Sequence, residues 1–295
     1  MLVSKLNEFL NYLNYEKRYS SNTIRAYKND LLLFIKFIEK ESINSLDEIS
    51  KQHIHQFLYY LSIKKYSERS VSRKLATIKS FFNYLIKSKD LKKNVVKSVS
   101  APKISKKLPV FLTQDKMSLI LELPKANNLE EARNLLILEL FYSTGVRISE
   151  LVKMKIEDIN FDENSINVLG KGNKKRLVIM GNYAKKRLID FLNYQNLINK
   201  GYIFKNLRKS TKKYISERTV FNIVKKYVEK VTHNQKISPH SLRHTFATHL
   251  LNNGADLMSL KELLGHSDLS STQIYTHVNI KQMKKAFKKA HPQAK

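Results

Sequence analysis

Four residues able to act on a phosphodiester, His240, Arg243, His266 and Tyr275, fall within 36 positions of one another near the end of the chain. They stand in His240-Ser241-Leu242-Arg243-His244, Leu264-Gly265-His266 and Ile274-Tyr275-Thr276-His277. A second arginine, Arg147, lies far upstream in Thr144-Gly145-Val146-Arg147-Ile148-Ser149-Glu150-Leu151. Two guanidinium groups can clamp the non-bridging oxygens of a phosphate, because each planar fork matches two oxygens at once. Imidazoles can move a proton, and a phenol oxygen can attack phosphorus, so the set requires no metal.

Each residue also has a plainer reading. His240 and His244 are four apart, as in zinc-binding H-E-x-x-H helices, but position 241 is Ser and no third ligand presents itself, which argues against zinc. Tyr275 is one of 15 tyrosines, and a free phenol with a pKa near ~10 is a weak nucleophile at neutral pH. It needs a base and a cationic surrounding, which His240, Arg243 and Arg147 could supply. A histidine after a glycine, such as His266, is by itself an ordinary loop residue. Ser238-Pro239 reads as a helix opening, with Ser as N-cap and Pro at the first helical position. That puts His240 and Arg243 three apart on one face of the first turn, beside backbone N–H groups that favour an anion.

The elements that must hold these residues are mostly helical. Leu6, Phe9, Leu10 and Leu13 recur at helical spacing, as do Tyr27, Leu31, Phe34, Ile35 and Ile38, with an N-cap expected in Ser21-Asn22-Thr23. Ile54, Phe57, Leu58 and Leu61 mark a third helix, and Val71, Leu75, Ile78, Phe82 and Leu85 a fourth. Neither glycine nor proline occurs in residues 1–101, which suits a compact all-helical domain. Ala101-Pro102-Lys103 and Pro109 then punctuate an expected linker. Beyond it, Thr113-Gln114-Asp115 reads as a helix start, and residues 131–142 as an apolar helix that ends before Gly145. Ser165–Leu169 and Lys175–Ile179 flank Gly170-Lys171-Gly172-Asn173, which predicts an antiparallel hairpin. Gly254 and Gly265 look like helix C-terminal glycines bracketing a short helix, Leu257–Leu264, capped by Asp256. Met283, Ala286, Phe287 and Ala290 make an apolar stripe on a last helix. The fold class expected is mainly α, with an all-helical first domain and a mostly helical second domain carrying a small antiparallel hairpin or sheet.

Composition bounds the partners. Lys and Arg number 54 against 25 acidic residues, a formal net charge of +29, so the expected partner is a polyanion, with nucleic acid first. Only 11 of the 54 are Arg, so part of the excess is a lysine bias. Residues 1–105 hold 20 basic against 9 acidic residues, leaving +11 there and +18 on the remainder, so both halves face the polyanion. The absence of cysteine excludes disulfides, thiolate metal sites and cysteine nucleophiles. No apolar run approaches the ~20 residues of a membrane helix, and the first residues read as an amphipathic helix and not a signal peptide. A soluble cytoplasmic protein is expected.

Five stretches in order carry a resemblance. They are Ser143–Leu151, Gly170-Lys171-Gly172-Asn173-Lys174-Lys175-Arg176, Pro239–His244, Leu263-Leu264-Gly265-His266-Ser267 and Ile274–His277. Together with Asn22–Leu31 and the ending Ala290-His291-Pro292-Gln293-Ala294, they make the chain resemble tyrosine recombinases of the Xer branch over nearly its whole length. The resemblance implies that Tyr275 attacks the scissile phosphate to form a 3′-phosphotyrosyl link. Arg147 and Arg243 would clamp the non-bridging oxygens, Lys171 would protonate the leaving 5′-oxygen, and His240 would serve as general base and acid at the tyrosine oxygen. His266 would hydrogen-bond the phosphate and help pack the site. Without it Lys171 is only a turn lysine, since Gly170-Lys171-Gly172 is no phosphate-cradling P-loop.

The implied organisation is a core-binding domain over 1–98, a linker over 99–110, a catalytic domain over 111–280 and a tail helix over 281–295 for contact between protomers. The implied partners are double-stranded DNA with a specific recombination site, a homotetramer or heterotetramer joined by the C-terminal helix, and a DNA translocase as activator; no cofactor, metal or membrane is implied. The work expected is resolution of chromosome or plasmid multimers. The competing readings are a mobile-element integrase, a type IB topoisomerase-like enzyme, and an architectural DNA-binding protein that does not cleave.

Overall fold

The computed structural model describes residues 2–43, 45–103, 110–170, 175–195, 200–206, 213–234, 236–264 and 277–293, with the backbone alone for 277–282. Two compact units divide the chain, Met1–Lys107 and Leu108–Lys295.

The first unit holds four helices: α1 (Leu2–Tyr15), α2 (Ser21–Lys40), α3 (Lys51–Ile63) and α4 (Glu68–Lys87). The apolar residues that recur every three or four positions close one core, in which Phe9, Phe34, Phe57 and Phe82 are fully buried. The N-cap of α2 is one residue earlier than the sequence suggests. Ser20, in extended conformation, accepts the Thr23 N–H at 3.2 Å, because its hydroxyl reaches the third helical amide. Ser67 caps α4 in the same way. Val96 and Val99, in a stretch without periodicity, are buried in this core, so the packed unit extends past residue 98. A buried carboxylate, Asp30 on α2, takes ion pairs from Arg73 and Lys74 of α4, the latter at 2.7 Å.

The second unit is built around α6 (Leu129–Thr144), capped by Asn128 and buried over almost every residue from Ala132 to Thr144. A helix apolar on all sides belongs at the centre of its domain. Around it lie α5 (Gln114–Glu122), α8 (Asn182–Tyr194), α9 (Glu217–Val231) and α10 (Pro239–Asn252). The short α7 (Ile148–Leu151) follows α6 directly. The expected hairpin is present as β2 (Ser165–Leu169) and β3 (Lys175–Ile179), with Leu169 opposite Lys175 and Ser165 opposite Ile179. A two-residue strand, β1 (Ile159–Asn160), adds to β2 and makes the sheet three-stranded and antiparallel. Two residues carry no alternation to read, which is why the sequence shows only a hairpin.

The two last helices are α11 (Leu257–Leu264), capped by Asp256 through the Ser259 N–H at 2.9 Å, and α12 (His277–Ala290). Met283, Phe287 and Ala290 are buried against Ile179, Phe246 and Leu250 of their own unit. Use of this face by a second copy would require α12 to leave that seat.

Candidate active site

Arg147 and Arg243 are brought to one place by backbone that has little freedom. Ser143 accepts the Gly181 N–H at 2.8 Å, tying the end of α6 to the exit of β3. Gly145 then adopts φ +58°, the left-handed conformation in which a helix ends without Cβ strain. A Cβ at Gly145 would also lie 2.4 Å from the Phe246 ring, so two independent constraints ask for glycine. The Gly145 carbonyl accepts Arg243 Nη1 at 2.5 Å, and the Leu264 carbonyl accepts Nη2 at 2.5 Å. Arg243 is 6% exposed. Burial, then the charges of Arg176 and Arg147, pull its pKa down to about 9, so it keeps its proton at neutral pH.

Arg147 is the residue before α7, and Glu150 in the first turn reaches back to it. Glu150 Oε2 accepts the Arg147 N–H at 2.7 Å and Oε1 accepts Nη1 at 2.8 Å. Glu150 is also held by Arg176, whose Nη2 and Nε meet its two oxygens at 2.8 and 3.3 Å. Burial alone would raise the Glu150 pKa, but the Arg176 and Arg147 bonds outweigh it and hold the carboxyl below its usual range. Neither Glu150 nor Arg176 was singled out as a site residue in the sequence. The signal available was parity. Arg176 alternates with Val178 on β3, so it faces the core with it, and an inward arginine needs a partner.

His240 lies exposed on the first turn of α10, its ring stacked on His244 at 5.8 Å between centroids. Burial, then the charges of His240 and Arg243, lower the His244 pKa. Lys171, His266 and Tyr275 lie outside the described residues. So the structure places Arg147 and Arg243 in one cluster and His240 on the same helix as Arg243, and describes no position for the other three. Among the described residues no three His, Asp or Glu side chains gather as a metal site would require.

Two further histidines are structural. His249 donates from Nε2 to the Leu112 carbonyl at 2.9 Å, so its Nδ1 accepts from the Tyr142 hydroxyl at 3.0 Å. His291 donates from Nε2 to the Tyr142 carbonyl at 3.0 Å and accepts the Gln293 N–H at Nδ1. Burial holds His291 down to about 4 and lowers His249 as well, so both are neutral. Nearby, Glu139 is buried with Oε2 unpartnered among the described residues, and burial pushes its pKa up to about 7.

Comparison with known proteins first gives the class. Residues 110–282 match the phage integrase family, and residues 6–89 match the phage integrase N-terminal SAM-like domain. The chain is 39% identical to a tyrosine recombinase XerC of Anoxybacillus flavithermus, with 98% of each chain covered. It is 36% identical to a tyrosine recombinase XerD of Staphylococcus epidermidis, covering 98% of this chain and 99% of that one. The fold is that of XerH site-specific recombinase, seen bound to its difH substrate, with a TM-score of 0.71, 24% identity and coverage of 90% of this chain and 79% of that one. The chain belongs to the phage integrase family, in its Xer branch of tyrosine recombinases. It is a tyrosine site-specific recombinase, an enzyme that recombines DNA.

Proposed function

We propose that this chain cleaves and rejoins DNA at a specific site through Tyr275, in a synapse of four protomers that resolves chromosome or plasmid multimers. The Tyr275 oxygen attacks the scissile phosphorus and gives its proton to His240. The bond from phosphorus to the 5′-oxygen breaks, and Lys171 protonates the departing oxygen. A 3′-phosphotyrosyl link remains, and attack by the 5′-hydroxyl of a partner strand reverses it. The phosphodiester energy is kept in the covalent link, so no cofactor takes part. Arg147 and Arg243 stabilise the charge that builds on the non-bridging oxygens, and His266 hydrogen-bonds the phosphate. The observation that carries this reading is the approach of the part-exposed Arg147 to the buried Arg243, far apart in sequence, close enough for the one charge to act on the other.

The net charge of +29 supports duplex DNA as the partner, with binding that weakens steeply as salt rises. The tetramer, of one recombinase or two, would form by α12 moving from its own unit to a neighbour. That move exchanges one burial of Met283 and Phe287 for another, each side chain worth about 2 kcal/mol, so it need not cost much in total. A DNA translocase as activator and a cytoplasmic setting complete the reading; among the described residues no helix is long and apolar enough to cross a membrane.

A suicide duplex, nicked beside the scissile bond so that the short fragment diffuses away, tests the cleavage step. Wild-type protein is expected to be trapped covalently on DNA. Tyr275→Phe is expected to bind the same duplex and form no adduct. Binding by both proteins with trapping by neither would overturn the reading in favour of a DNA-binding protein without cleavage.

A further inference from the structure

We propose that Arg176 is a positioning residue for strand cleavage, acting through Glu150 on Arg147. The proposal rests on the recombinase reading above and assigns a role to a residue outside the six expected at the site. Arg176 is 6% exposed and uses all three guanidinium nitrogens. Nε and Nη2 straddle the Glu150 carboxylate, and Nη1 donates to the Leu263 carbonyl at 2.6 Å. One side chain thus joins β3, α7 and α11, three elements distant in the chain.

The carboxylate it holds is saturated. Oε1 is shared by Arg176 Nε and Arg147 Nη1, and Oε2 by Arg176 Nη2 and the Arg147 backbone N–H. Glu150 cannot swing after Arg147 without breaking its pair with Arg176. The arrangement also sets the charge offered to a phosphate. Arg176 neutralises Glu150, so Arg147 and Arg243 together present two net positive charges. Without Arg176, the buried Glu150 would hold Arg147 as its sole described counterion, and one charge would be spent inside the protein.

At α11 the same guanidinium meets the main chain. Leu263 O is met by Arg176 and Leu264 O by Arg243, so two arginines take successive carbonyls of α11. Arg176 therefore ties β3 to the same stretch of α11 that Arg243 grips.

The test measures single-turnover cleavage by saturating protein on a nicked duplex that carries a site recovered by the wild-type protein from a random duplex library. Half-site affinity and thermal midpoint are measured beside it. A second duplex carries a methylphosphonate at the scissile position, which replaces a charged non-bridging oxygen with methyl. Arg176→Met is expected to slow cleavage of the phosphate about 100-fold, in the range set by losing one oriented charge-stabilising group. Its half-site affinity should stay within about 3-fold, as for a residue without phosphate contact. On the methylphosphonate its deficit should shrink to about 10-fold or less, because the charge that Arg147 must meet has gone. Arg176→Lys keeps the charge but cannot span Glu150 and Leu263 together, so it should fall between the two and carries the test if Arg176→Met does not fold. A wild-type rate in the variants, or an equal loss on both duplexes, overturns the positioning role. Failure of the wild type itself to cleave overturns the recombinase reading instead.

Discussion

Both units bury one carboxylate between two bases, and they use it differently. In the N-terminal unit Asp30 on α2 takes Arg73, Lys74 and Thr77, all from adjacent turns of α4. The cluster ties two neighbouring helices and ends there, with Arg73 half exposed. In the catalytic unit Glu150 takes Arg147 and Arg176, and the network runs on through Arg176 and Arg243 to the carbonyls of Leu263, Leu264 and Gly145. The difference lies in where the partners lead. Partners drawn from one helix make a fastener. Partners drawn from three elements set the relative positions of the groups proposed to act on phosphate.

That comparison can be broken most sharply by neutralising each acid in turn. Glu150→Gln should cut single-turnover cleavage about 1000-fold, since it releases two guanidinium groups from their common orienting partner. Asp30→Asn should leave the cleavage rate of saturated, folded protein within about 3-fold. Its cost should appear in the N-terminal unit as about 3 kcal/mol of lost stability, because Lys74 is left buried without its counterion. Equal effects on cleavage from both variants would erase the distinction between fastener and site.

Gly145→Ala sharpens the point that backbone, as well as charge, places Arg243. The added methyl meets Phe246 and the residue must keep a positive φ, so a loss of about 2–3 kcal/mol is expected by thermal denaturation, with slower cleavage. Wild-type stability would show that the turn relaxes freely.

The smallest effect expected is at Glu139, a buried acid that makes no ion pair among the described residues. Its pKa is raised from 4.5 to about 7, so the stability it allows is full below pH 4.5 and lost as pH rises through 7. Glu139→Gln should therefore stabilise the catalytic unit at pH 8 relative to pH 4.5, by about 1–2 kcal/mol once partial hydration of the ionised site is allowed for. A pH-independent difference would contradict the assignment. His291 works in the opposite sense. Held down to about 4, its contribution is full above pH 6.5 and lost as pH falls towards 4, so the variant at Glu139 is needed to separate the two.

Much of this was legible in the sequence, for reasons that differ by element. The N-terminal helices show a plain 3.6-residue recurrence because each has one buried stripe. The hairpin announces itself by two β runs around glycines, and α11 by its Asp256 cap. Arg147 and Arg243 stood out because a planar guanidinium fork matches two phosphate oxygens at once. Glu150 and Arg176 did not, because a buried ion pair is made by residues that look like surface charges until their partners are known. His249 and His291 escaped for the same reason, being ordinary polar letters whose partners are a tyrosine and main-chain carbonyls. Val96 and Val99 were hidden by the absence of any helical period around them.

The central claim, that one phenol among 15 does the chemistry, has a direct measurement. The wild-type adduct on the nicked duplex can be digested with nuclease and trypsin and the nucleotide-bearing peptide sequenced by mass spectrometry. The account predicts a phosphonucleotide on Tyr275 and on no other tyrosine. A nucleotide carried by any other residue would contradict it.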